Sequence, residues 1–351
     1  MERSYYLGLA EAGLRMPIGT DLVLHEESDP DAVRLDPERF SRVLEKTARR
    51  YKTPFAVSLM DLQLEKRWLL GALGISAAEA ATYHFEKAPT DEQVAAVKAV
   101  AAGPLPPLLA ANAEAIRLLA KRCPDLAPCG MSIGPFSLMT KLLADPITPV
   151  YLAASGLTAE DEPEVALVER CLELALIVIE QSIRAQTAAG AQFVFLAEPA
   201  ANKVYVSPHQ MEAGSDVFDR YVMEPNRRVR GWIAAGGADL LFHCCGELSD
   251  AMIRKFGELD PAILSLGSSR PLWDVAPLVP ASTVLFGNLP SKKFSSDRDL
   301  SDDEVRRLTR EMIAKMKALG RPFILGSECD ILSVKGCECA IQRKVDAFLT
   351  A

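Results

Sequence analysis

The feature that most constrains the fold is a repeat of texture: short apolar runs, each followed by a longer stretch with helical spacing. The runs are Phe55-Ala-Val-Ser-Leu-Met-Asp61, Cys129-Gly-Met-Ser-Ile-Gly134, Gln192-Phe-Val-Phe-Leu-Ala-Glu198, Leu240-Leu-Phe-His243, Ala262-Ile-Leu-Ser-Leu266, Thr283-Val-Leu-Phe-Gly287 and Pro322-Phe-Ile-Leu325. Runs of this length without polar alternation fit strands buried on both faces, as in parallel sheets. Between them, Glu164 to Ala188 has apolar residues at helical spacing. Ser301 to Leu319 opens with Ser301 and Glu304 at capping-box spacing and ends at Gly320. Alternating strand and helix over 351 residues predicts a TIM-type (β/α)8 barrel over residues 51–351. Residues 1–50, which lack a clean strand run, read as an N-terminal cover packed on it. The eighth strand is obscure, and Thr82-Tyr-His-Phe85 is the candidate.

A barrel places its chemistry at the C-terminal ends of its strands. There the sequence puts Asp61, Gly134-Pro135, Glu198-Pro199, His243 to Gly246, Gly287-Asn288 and Ser327 to Asp330. Side chains alternate along a strand, so His243 and Cys245 share a face and Cys244 turns to the other, into the core. Cys329 closes a similar run. One imidazole and two thiolates suit zinc with a fourth position left open, the pattern of a catalytic site. The metal ligands expected are therefore His243, Cys245 and Cys329, with Cys337 or Cys339 the alternative to the last. Glu198, ending a buried run, needs a partner, and is expected to act in the site, with zinc itself one candidate. Asp61 and Asn288 hold equivalent strand-end positions and are candidate ligand contacts, with helix capping the alternative. Tyr205 and His209 follow Glu198 in a loop near the site, whereas His25 and His84 read as local hydrogen-bonding residues.

The other cysteines carry less. Cys123, Cys129 and Cys171 sit among apolar or helical neighbours, and Cys337 and Cys339 read as inert thiols, with a separate metal or redox role the alternative. Eight cysteines in a chain of this size suit reduced thiols and a metal site better than a disulfide framework. A net charge of −8 and a pI near 5.3 argue against nucleic-acid binding. The cluster Arg227-Arg228-Val-Arg230 reads as a solvated helix face. No apolar run approaches the ~18 residues of a membrane span, and no secretory signal pattern opens the chain. A cytoplasmic protein is expected.

Four segments together, Cys129-Gly-Met-Ser-Ile-Gly-Pro-Phe-Ser-Leu138, Ala197-Glu-Pro-Ala-Ala201 with Ser207-Pro208, His243-Cys-Cys245-Gly246 and Gly287-Asn288, resemble the uroporphyrinogen decarboxylase superfamily. The His-x-Cys…Cys pattern is similar to that of its zinc-dependent methyltransferases, which move a methyl group between a corrinoid and a thiol such as coenzyme M. The resemblance implies a TIM-type barrel, zinc, a corrinoid such as methylcobalamin as methyl carrier, a corrinoid-binding protein as partner, and a small-molecule methyl acceptor or donor. Met1 to Pro54 lacks the Arg-rich, Gly-containing segment of true uroporphyrinogen decarboxylases, which argues against that reaction. Three alternatives accompany this reading: a metal-independent decarboxylase, an enzyme that demethylates a small molecule onto a corrinoid protein, and a non-catalytic zinc-containing subunit.

Overall fold

The computed structural model describes residues 1–351. Eight strands form one parallel sheet: β1 (Arg15–Met16), β2 (Phe55–Val57), β3 (Ala127–Ile133), β4 (Phe193–Ala197), β5 (Asp239–Cys244), β6 (Ile263–Leu266), β7 (Val284–Leu289) and β8 (Phe323–Ser327). Their order is β1-β8-β7-β6-β5-β4-β3-β2, with every neighbouring pair parallel. Helices surround the sheet, and the fold is a TIM-type barrel. No ladder joins β1 to β2. Across that seam the hydroxyl of Thr20 donates to the carbonyl of Val57 at 2.6 Å.

Alternation sorts the strand residues into two cores. Phe55, Val57, Cys129, Met131, Phe193, Phe195, Ala197, Leu241, Ile263, Phe286 and Ile324 fill the barrel. Val194, Leu196, Leu240, Phe242, Cys244, Leu264, Leu285 and Leu325 face the helices. The first helix, Arg3–Glu11, stoppers the N-terminal end: Tyr6 and Ala10 join the inner core, and the Tyr6 hydroxyl donates to Asp239 at 2.7 Å. Below the site the barrel is thus packed with side chains rather than hollow.

Seven expected strands are present, and one expectation is corrected. The eighth strand is Arg15–Met16, inside the first fifty residues, and not Thr82–Phe85, which lies in turn and coil. Two residues are too short to show any hydrophobic period. The long helix runs Pro163–Ala188, one residue from its expected start. At Ser301 only half of the capping box forms. Its hydroxyl takes the Glu304 amide at 3.2 Å, while the Glu304 carboxylate turns to Arg307. Arg227 and Arg230 bond exposed acids and Arg228 stacks on Trp232, as a solvated face should. No helix is long and apolar enough to cross a membrane.

Candidate metal centre

Strands β5 and β8 bring three soft donors to one point. His243 is the last inward-facing residue of β5, Cys245 follows on the same face, and Cys329 stands two residues past β8. One ligand atom from each lies within 4.8 Å of the other two. The His243 ring is buried. Its Nδ1 pairs with the Ser265 hydroxyl at 2.8 Å, and its Nε2 is buried with no protein partner. Ser265 lies directly opposite His243 in the β5–β6 register. A hydroxyl accepting from Nδ1–H fixes the tautomer that presents the Nε2 lone pair, which is how metal-binding histidines are usually oriented.

The thiols act as a pair. The Cys329 thiol, with His243 behind it, holds the Cys245 thiol well below its usual range, while Cys245 and burial push Cys329 up. The pair therefore keeps one proton between two sulfurs, and a soft cation would displace it. Lys292 is the charge beside them: burial works against its ammonium, but Cys245, Glu328 and Cys329 raise its pKa on balance. Glu328 in turn accepts from the Ser268 amide and hydroxyl at 3.0 and 2.7 Å. Met60 packs its sulfur 3.9 Å from the Cys329 sulfur. Gly267 makes room for this arrangement, because a Cβ there would stand 2.6 Å from the Cys245 carbonyl oxygen and 2.8 Å from its Cα. An unpartnered buried imidazole nitrogen and two half-buried thiols fit zinc.

The other expected residues lie elsewhere. Glu198 is fully buried, but alternation after Ala197 turns it outward, toward the side of Cys244. Its carboxylate accepts the amides of Phe136, at 3.3 Å, and Ser137, at the start of helix Pro135–Thr140, and the Asn226 side chain at 3.0 Å. Burial still pushes its pKa up to about 7. Its hydrogen-bond partners are thus the start of that helix and Asn226, and these bonds tie the end of β4 to the helix that follows β3. Asp61 pairs with Arg34 and, at 3.8 Å, with Arg67, and it accepts the Gln63 amide at 3.0 Å. It neighbours Met60, which touches Cys329. Asn288 donates to the carbonyls of Gly267 at 2.8 Å and Arg270 at 2.7 Å, which fastens β7 to the loop beneath Cys245. Neither residue joins the donor cluster. His209 lies on the short helix Pro208–Glu212, whose residues are not buried, and His25 bonds the Asp21 carbonyl at 2.9 Å.

Cys244, Cys123, Cys129 and Cys171 are buried, and Cys337 and Cys339 stand at the start of the C-terminal helix outside the cluster. Sequence reasoning missed Ser265, Lys292, Met60 and Gly267. Only Ser265 left a signal, a lone hydroxyl in the apolar run Ala262–Leu266. Two clefts, of about 660 and 610 Å³, lie among the outer helices and at the N-terminal end of β8, away from this chemistry.

A solved methyltransferase from Methanosarcina mazei superposes with a TM-score of 0.67 over 96% of this chain and 91% of that one, at 15% identity, a likeness of fold. The structure of 3-keto-D-glucoside 4-epimerase from E. coli, at 13% identity over 68% of this chain and 93% of that one, gives a TM-score of 0.34 and bears on nothing here. Comparison with curated proteins gives no match. The model of the uroporphyrinogen decarboxylase family matches residues 25–338, nearly the whole barrel. The chain belongs to the uroporphyrinogen decarboxylase family.

Proposed function

We propose that the chain is a zinc-dependent methyltransferase that moves a methyl group between a corrinoid and a small molecule, most naturally a thiol. The observation that carries this reading is the donor set: two thiols and an imidazole whose Nε2 is buried without a partner, held within 4.8 Å at the C-terminal end of the barrel. Bound there, zinc would lower the pKa of a substrate thiol and keep its sulfur nucleophilic. The protein's own residues prepare that state. Ser265 orients His243, the two cysteines surrender a shared proton, and the Lys292 ammonium offsets part of the negative charge that a further thiolate would add. Met60 and the packed barrel floor limit water at the sulfurs.

The neighbouring methyltransferase supports the reading through fold, and the family match through membership. A corrinoid-binding protein is the proposed partner and methylcobalamin the proposed surrogate. The decarboxylase reading draws less support, because Arg34 and Arg67 at the β2 end are paired with Asp61 rather than free for a carboxylated substrate. A sealed structural zinc would need a fourth protein ligand, and Cys337 and Cys339 stand outside the cluster. Zinc X-ray absorption tests the open site: sulfur ligation should rise when coenzyme M or homocysteine is added. A four-protein-ligand shell indifferent to every thiol would refute it.

A further inference from the structure

Three donors leave a tetrahedral metal one ligand short, and no carboxylate joins His243, Cys245 and Cys329 in their cluster. A fourth soft atom nevertheless stands beside them. The Met60 Sδ lies 3.9 Å from the Cys329 Sγ, in the geometry of a thiol donating to a thioether. Two sulfurs on one tetrahedral zinc, each about 2.3 Å from the ion, stand about 3.8 Å apart. The observed spacing is therefore that of two ligands on one metal. A methionine that merely fills a core buries its sulfur among carbon atoms. Met60 instead is half-buried at the mouth, on top of the inner core, with its sulfur against a ligand's sulfur.

The residues around Met60 fix it there. Asp61 pairs with Arg34 and Arg67, accepts the Gln63 amide at 3.0 Å and donates its own amide to the Leu59 carbonyl at 3.0 Å, so the turn after β2 is tied on both sides of the methionine. We propose that Met60 is the fourth ligand of the resting metal centre, a thioether that a substrate thiol displaces. A thioether is soft enough for zinc, but it is uncharged and a weaker ligand than a thiolate. On exchange the thioether leaves as a neutral group, the incoming thiol gives its proton to solvent, and the thiolate ligands rise from the two cysteines to three. The fourth position is thus covered at rest and open to substrate. The displacement rests on the methyl-transfer reading, whereas the ligand role rests on the donor geometry alone.

Zinc-edge X-ray absorption of the full chain grown with selenomethionine reads this ligand directly, because selenium scatters more strongly than sulfur. Kept reduced by a phosphine rather than a thiol, the zinc-loaded protein should show one zinc–selenium contact, although the chain carries ten methionines. That contact should vanish in M60L, a volume-conserving change, with zinc still bound. It should also vanish from the unaltered protein when coenzyme M or homocysteine is added. No zinc–selenium contact in the thiol-free unaltered protein overturns the proposal, whether or not M60L folds. A contact that survives in M60L overturns the assignment to Met60, and one that persists under saturating thiol overturns the displacement. None of these spectra involves a corrinoid, so methyl transfer can fail while the Met60 ligand stands, and the reverse.

Discussion

His243 presents one nitrogen to Ser265 and leaves the other bare, and that asymmetry decides what the residue can do. Removing the hydroxyl frees the ring to rotate and lets the wrong tautomer compete. Ser265→Ala should therefore weaken zinc binding by ~10–100-fold, read by chelator competition, while the protein stays folded. Affinity equal to that of the unaltered protein would mean that packing alone fixes the ring. Cys245→Ser, Cys329→Ser and His243→Ala should each lose zinc on metal analysis, whereas Cys244→Ala should keep it, because Cys244 lies in the outer core. Full zinc in Cys245→Ser would end the ligand assignment. Strand alternation was enough to put His243 and Cys245 on one face and Cys244 on the other from the sequence. The lone hydroxyl of Ser265 stands out in its apolar run, but its pairing with His243, like the approach of Lys292 to the cysteines, depends on strand register and loop path rather than on local pattern.

Two buried glutamates fasten the helix layer to the sheet, and they set the stability of the elements that frame the mouth. Glu65, on helix Leu64–Ala72, accepts from the hydroxyls of Ser132 at 3.1 Å and Ser182 at 3.0 Å, and burial pushes its pKa up to about 7 from 4.5. A raised folded pKa means that the native state holds the proton longer than the unfolded chain. The contribution of Glu65 is thus full below pH 4.5 and is lost as pH rises through 7. Glu65→Gln should flatten the fall in stability between pH 5 and 8, gaining about 2–3 kcal/mol over the unaltered protein at pH 8, measured by urea unfolding. Parallel pH profiles would contradict this. Gly134→Ala should cost about 1–3 kcal/mol by overpacking, because a Cβ there would strike the Glu198 carboxylate. The strand-end position and burial of Glu198 are visible in the sequence and suggest a site residue, whereas its outward turn follows from the alternation after Ala197. The long helix was legible from 3.6-residue spacing over 26 residues, while β1, at two residues, offered no period to read.

At the scale of the whole molecule, the barrel is solid below and carries its soft donors above. The N-terminal helix and aromatic residues such as Phe55 and Phe193, with rings 4.8 Å apart, fill the floor. The soft donors stand on β5 and the β8 loop at the rim. This division follows from the parallel topology, which sends all strand C-termini to one face, and it explains why strand-end residues stand out in the sequence. Methyl transfer is the central proposal, and consumption of methyl–Co(III) corrinoid changes the corrinoid spectrum. The decisive measurement is that optical assay on the zinc-loaded chain, with methylcobalamin or a cognate methylated corrinoid protein and coenzyme M, homocysteine or a related thiol. Thiol-dependent demethylation that disappears in Cys245→Ser is the expected result. An unchanged spectrum with the cognate corrinoid protein across thiols, folates and methylated donors would contradict the proposed function.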